Sequence, residues 1–225
     1  MKAVIFDCDG VLLDSEAIGV EVELSCLAEI GLHYEREKYL ARFLGGNTAF
    51  FFSSLDADHR AEFGAPLPDA FRDRIRTEIH DAFERDLDVI PGIPNLIESL
   101  DCAMAVASGS SIDDLQWKLR KTNLHALFDP HIFSADEVLN GKPAPDVFLL
   151  AAERLGMAPA DCIVVEDGRN GVMGAVTAGM TAIGFTGGGH CDEDHGDSLL
   201  AAGARGASAT VDALRETLHA ILQIR

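Results

Sequence analysis

Asp7 and Asp9 stand one residue apart at the end of the apolar run Val4-Ile5-Phe6, and Gly10 follows them. Two carboxylates this close repel each other. At the edge of a core they need a bound cation, or a proton held on one of them. The same residues also open an ordinary turn, because Asp and Gly are common turn formers. Further along, the apolar run "CIVV" likewise ends in two acids, Glu166 and Asp167. There the plain alternative is complementation of a helix dipole by acids at its N-terminus. Ser108 closes "AMAVA" and leads into Gly109, Ser110 and Ser111. A hydroxyl and backbone N–H groups at a helix start make an anion seat, though N-capping by Ser110 or Ser111 uses the same residues. Lys142, between Gly141 and Pro143 in "GKPAPDVF", is either an exposed loop lysine or a cation held where acids gather.

These residues need elements to position them. Val-Ile-Phe is strand material, and a short apolar run suits a strand buried on both faces. From Glu16 the period changes: Ile18, Val22, Cys26 and Ile30 lie four apart, on one helical face. Helical patterns continue through "EREKYLARFL", "TAFFFSSL" and "DAFRDRIRTEIHDAFERDL", broken by "GGN" at 45–47 and by Pro66 and Pro68. No strand is expected between Ser15 and Asp88. Beyond Pro91, strands at "AMAVA", "HIF", "CIVV", "TAIGF" and "SATV" alternate with helices over "SIDDLQWKLRKTN", "PDVFLLAAERLG", "NGVMGAVTAG" and "DALRETLHAIL". This rhythm predicts an α/β fold, a mostly parallel sheet covered by helices on both faces. The first strand belongs to that sheet, so residues 1–14 and 88–225 form a core domain and 15–87 an inserted helical domain. Ligands of open parallel sheets bind beyond the carboxyl ends of the strands. That rule gathers the acids and Ser108 at one crevice. Four carboxylates there make sense around a metal, and hard oxygen ligands with positions left for water and phosphate suit Mg²⁺.

Composition excludes several partners. The 225 residues carry a formal net charge of −19, which argues against nucleic acid and anionic membranes, both of which require basic patches. An anionic substrate would need a local positive field to overcome the same repulsion. No apolar run approaches a membrane span, and no signal peptide is expected ahead of the first strand. The five cysteines, odd in number and without close paired spacing, predict neither a disulfide framework nor a zinc ribbon. A cytoplasmic protein, compatible with a monomer, is expected.

Four ordered motifs, "DCDG" with "VLLDSE" behind it, Ser108, Lys142 in "GKPAPD", and "EDGRNGV", resemble the haloacid dehalogenase-like hydrolases over nearly the whole chain. Within that family the chain is similar to the branch holding sugar-phosphate phosphatases and β-phosphoglucomutases. The resemblance implies a Rossmann-like core with a helical cap that closes over the crevice. It implies Asp7 as nucleophile forming an aspartyl-phosphate, and Asp9 as general acid and then base. Ser108, the Gly109 N–H and Lys142 would hold the phosphoryl oxygens. Mg²⁺ would be bound by Asp7, the Asp9 carbonyl, Asp167 and Glu166. The substrate would be a small phosphorylated metabolite, a sugar or sugar-acid phosphate. The alternative is a phosphoglucomutase-like isomerase.

Two departures from the family pattern stand out. Gly168 stands where many relatives carry Ser. The lip "FLGGNT" is neutral where some mutases carry a basic residue, which leaves Leu44, Gly46, Asn47 and Thr48 to discriminate substrates. "SEAIGVEVE" also lacks the histidine that family mutases place on the first cap helix, so hydrolysis is expected rather than isomerisation. The stretch "GGGHCDEDHGD" (187–197) gathers His190, Cys191, Asp192, Asp194 and His195, yet a polar, glycine-rich connection of this kind is expected to be a solvated loop.

Overall fold

The computed structural model describes residues 2–43 and 48–223. It divides into two compact units, Met1–Asp14 with Asp88–Arg225, and Ser15–Leu87.

The first unit carries a six-stranded sheet: β1 (Ala3–Phe6), β2 (Ala103–Ser108), β3 (Ile132–Ser134), β4 (Cys162–Glu166), β5 (Thr181–Phe185) and β6 (Ala207–Ser208). Every pairing is parallel, in the order β3-β2-β1-β4-β5-β6. The order reverses between β1 and β4. A crevice opens at such a switch point, at the carboxyl ends of the strands. Alternate residues face opposite sides. Ala3, Ile5, Ala105, Ala107, Val164 and Ala182 pack on Val147, Phe148, Val172 and Leu199. Phe6, on the other face, meets Phe128 edge-on at 6.0 Å.

Between and after these strands lie α5 (Ile93–Ser99), α6 (Ile112–Lys121), α7 (His125–Phe128), α8 (Asp146–Leu155), α9 (Arg169–Thr177), α10 (His195–Ala201) and α11 (Val211–Gln223). Pro145 occupies the N-cap of α8, and Gly156 ends it in the left-handed region at φ 68°, the punctuation expected of proline and glycine.

The second unit consists of α1 (Ser15–Glu29), α2 (Arg36–Phe43), α3 (Thr48–Phe63) and α4 (Phe71–Asp86). Its core joins Val20, Leu27, Tyr39, Leu40, Phe43, Leu55, Phe71 and Ile75. Among the described residues no helix is long and apolar enough to cross a membrane.

Several element expectations need correction. The stripe Ile18, Val22, Cys26 and Ile30 is only part of the inward face of α1: Cys26 is buried and Val22 and Ile30 pack half-buried on the core, but Val20 and Leu27, seven apart on one seam, are buried as well. Of "SATV" only Ser208 lies in a strand, the two-residue β6 that begins at Ala207, and its Val211 starts α11. The helices α5, α7 and α10 have no counterpart in the sequence reading. At four to seven residues they are too short to show a 3.6-residue period.

Candidate functional site

β1 delivers the first acids. Asp7 continues the ladder, its N–H donating to Val165 O at 3.0 Å, so its backbone is fixed by the sheet. Gly10 then turns the chain with φ +76°. A Cβ there would lie 2.0 Å from Asp167 Oδ2, so the turn requires glycine for space as well as for conformation. β4 ends in Glu166, and Asp167 follows it. Gly171, five residues on, gives Glu166 its room, because a Cβ at that position would lie 1.7 Å from Glu166 Oε1.

The sequence-derived core residues converge. Asp7, Ser108, Glu166 and Asp167 are all buried. Lys142 Nζ donates to Asp7 Oδ1 and to Glu166 Oε1, both at 2.6 Å, and its side chain is only 12% exposed. It is therefore no solvated loop lysine. Glu166 Oε2 accepts from the Gly168 N–H at 2.9 Å, so both oxygens of Glu166 are engaged. Ser108 Oγ accepts from the Ser110 N–H at 3.1 Å. The N-cap of α6 is Ser111, which accepts from Asp114 N, and this frees Ser110 for another task.

That task is at Asp9. Ser110 Oγ donates to Asp9 Oδ2 at 2.8 Å, and Lys118 Nζ donates to Asp9 Oδ1 and Oδ2 at 2.5 and 2.7 Å. Lys118 escaped the sequence reading. Its signal is a lysine set between Leu115 and Leu119 on the buried stripe of α6, where an unpaired charge would be costly.

Burial dominates the electrostatics. It raises the Asp7 carboxyl to about 7, against the opposing pull of Lys142 and with reinforcement from Glu166 and Asp9. Burial also raises Glu166 and Asp167, the latter further through Asp7. Burial acts to lower both lysines, but the acids beside them more than reverse it. Lys142 stays above its ordinary value through Asp7 and Glu166, and Lys118 through Asp9. Four carboxylates against two ammonium groups leave two formal negative charges, the amount one divalent cation offsets. Ligand atoms of Asp7, Glu166 and Asp167 lie within 4.8 Å of one another. All are hard oxygen donors, a set that fits Mg²⁺.

The loop at 187–197 is not simply solvated. His190 is fully buried, with Nε2 2.9 Å from Asp167 Oδ2. The strand-end position of the loop, directly after β5, was the available signal. In the second unit, Leu44, Gly46 and Asn47 lie outside the described residues. Thr48 lines a cavity of about 420 Å³ together with Glu16, Tyr39, Phe43, Arg72 and Arg76.

The model of the haloacid dehalogenase-like hydrolases matches residues 1–179. The chain is 27% identical to the 6-phosphogluconate phosphatase of Escherichia coli over 89% of its own length and 87% of that protein. It is 32% identical to a phosphorylated carbohydrates phosphatase of Thermotoga maritima, covering 91% of this chain and 92% of the relative. Its fold superposes on the crystal structure of a conserved haloacid dehalogenase-like protein from Agrobacterium tumefaciens with a TM-score of 0.89 and 34% identity, covering 99% and 100% of the two chains.

Proposed function

The chain belongs to the haloacid dehalogenase-like hydrolases, and from that premise we propose that it is a Mg²⁺-dependent phosphatase of small phosphorylated carbohydrates, working through an aspartyl-phosphate. The observation that carries this reading is the cluster in which buried Asp7, Glu166, Asp167 and Lys118 meet the largely covered Asp9 and Lys142 around the carboxyl ends of β1 and β4. The substrate class follows the relatives, a sugar-acid phosphatase and a carbohydrate phosphatase by name.

Asp7, placed by the sheet, attacks phosphorus with a carboxylate oxygen, and the ester P–O bond breaks. Asp9 gives its proton to the departing alkoxide, then takes one from the water that attacks the acyl phosphate. This second attack releases inorganic phosphate and restores both acids. Lys142, Ser108 Oγ and the Gly109 N–H stabilise the phosphoryl oxygens as charge shifts among them. Lys118 and Ser110 orient Asp9 for both proton transfers.

Asp7, Asp167 and the Asp9 carbonyl would hold the cation. Glu166, with its oxygens on Lys142 and Gly168, serves mainly to position that lysine. When bound, Mg²⁺ supplies the positive charge that keeps Asp7 ionised and offsets its repulsion from phosphate.

The test is a panel of sugar, sugar-acid and polyol phosphates incubated with the protein and Mg²⁺, with release of inorganic phosphate followed. One arm uses β-glucose 1-phosphate with catalytic glucose 1,6-bisphosphate. Phosphate release from at least one carbohydrate ester is expected. Glucose 6-phosphate formed with little free phosphate would assign the mutase reaction instead.

A further inference from the structure

We propose that His190 and His195 are positioning residues that clamp Asp167, fixing which of its oxygens faces the divalent cation. The proposal rests on the reading above in which Asp167 is a cation ligand. His190 Nε2 lies 2.9 Å from Asp167 Oδ2. A carboxylate that holds a cation is ionised and only accepts hydrogen bonds, so in that state Nε2 carries the proton and donates it. His195 Nε2 lies 2.6 Å from the Asp167 carbonyl oxygen, and a carbonyl also only accepts, so this ring takes the same tautomer. One loop thus grips both the side chain and the main chain of a single residue. Its two rings stand 5.8 Å apart and nearly perpendicular.

The loop is itself anchored. The Gly189 N–H donates to Asp14 Oδ1 at 2.9 Å, which ties it to the turn that follows β1. Space is closed around the His190 ring as well. A Cβ on Gly10 or on Gly188 would lie 2.7 Å from its Cε1. The ring therefore has little freedom to rotate, and with Oδ2 held by His190, Oδ1 is the oxygen presented to a cation. Partners of this kind orient a ligand, and losing one typically weakens metal affinity about 10- to 100-fold. Cys191 Sγ lies 3.3 Å from the same His190 nitrogen, but both imidazole donors are already committed to Asp167.

The experiment measures Mn²⁺ binding by electron paramagnetic resonance, and Mg²⁺ binding by calorimetry, on the full chain and on folded variants checked by circular dichroism. His190→Leu should raise the cation Kd about 10-fold or more. His190→Gln, whose amide N–H can take the place of Nε2–H, should recover much of the affinity. His195→Ala should show a smaller loss. In turnover, the defect should appear chiefly as a higher Mg²⁺ requirement, with kcat rising toward the wild-type value at saturating Mg²⁺. Wild-type cation affinity in His190→Leu, with Asp167→Asn binding weakly, would overturn the clamp alone. If His190→Leu does not fold, His190→Met takes its place, and wild-type affinity in both His190→Met and His195→Ala overturns the clamp. Undiminished binding by Asp167→Asn would overturn the cation reading and the clamp together. A tight second Zn²⁺ site lost in His190→Gln would make the rings ligands rather than a clamp.

Discussion

Charges in the two units are handled in opposite ways. At the ends of β1 and β4 the paired side chains are almost sealed: Lys118 is 5% exposed, Lys142 12% and Glu166 2%. In the helical unit the pairs Arg36–Glu21, Arg60–Asp56 and Arg74–Glu29 lie at the surface, each side chain at least a third exposed. Surface pairs of this kind contribute about 0–1 kcal/mol, whereas removing one partner of a buried pair costs about 3–5 kcal/mol. The helical unit is held instead by its aromatic core, where Tyr34, Tyr39 and Phe43 meet at 4.9–5.9 Å. The strand-end cluster is therefore expensive to assemble and explicable only by what it does. The helical unit is stable through apolar packing, so Glu16, Arg72 and Arg76, charged residues that line its cavity, can vary without loss of the core.

Four perturbations test that contrast. The largest effect should follow Asp7→Asn, which removes the nucleophile with almost no change of shape. We expect kcat to fall more than about 1,000-fold while the melting temperature holds or rises, because a buried carboxyl raised by desolvation is replaced with a neutral group. Retention of a tenth of wild-type activity by an undeamidated sample would remove Asp7 from the mechanism.

Next comes Lys118→Met, which keeps the volume and deletes the charge beside Asp9. Expected is a loss of about 100-fold on a sugar phosphate, whose alkoxide needs a proton, and a much smaller loss on p-nitrophenyl phosphate, whose phenolate does not. Equal losses on both substrates would place the effect on the shared step, in which Asp9 takes a proton from water, and wild-type turnover on both would show that Lys118 serves stability alone. The variant should also melt lower, since Asp9 keeps only Ser110 among the partners described above.

A smaller effect is expected in the helical unit. The Arg72 guanidinium sits 4.3 Å over the Phe52 ring beside the cavity. Arg72→Ala should raise KM for the preferred carbohydrate phosphate about 3- to 10-fold and leave kcat on p-nitrophenyl phosphate near the wild-type value, as a change in uniform binding does. A fall in kcat on both substrates would break the division between chemistry and selection.

The smallest effect tests a buried acid within the helical unit. Burial raises Glu23 above its ordinary range, although the Tyr39 hydroxyl donates to it at 2.7 Å and pulls the other way. With the folded pKa above the unfolded one, the stabilising contribution is fully present below the unfolded value, 4.5, and is lost as pH rises through the folded value. Glu23→Gln keeps an acceptor for Tyr39 and cannot ionise. Its Tm at pH 7.5 should therefore exceed the wild type by about 2 °C, with the difference closing near pH 4. A difference independent of pH would mean that the gain comes from packing.

The sequence by itself determined the alternating architecture and the residues of the core motifs. Short apolar runs ending in acids, as at Phe6-Asp7 and Val165-Glu166, already mark strand ends, and an all-parallel sheet brings such ends to one edge. Local pattern also fixed the start and stop of α8, because Pro145 and Gly156 act within a residue or two of where they stand. Only the tertiary structure decided the partners of the acids. Lys118 is 109 residues from Asp9, and nothing nearby in the chain distinguishes it from an exposed helical lysine except its place between Leu115 and Leu119. His190 and His195 read as part of a solvated loop, since the group they hold, Asp167, lies more than twenty residues away, just past the end of β4. Hydrophobic periodicity reports which face of an element is buried. It does not report which charge waits on the neighbouring element, and in this site that pairing sets the chemistry.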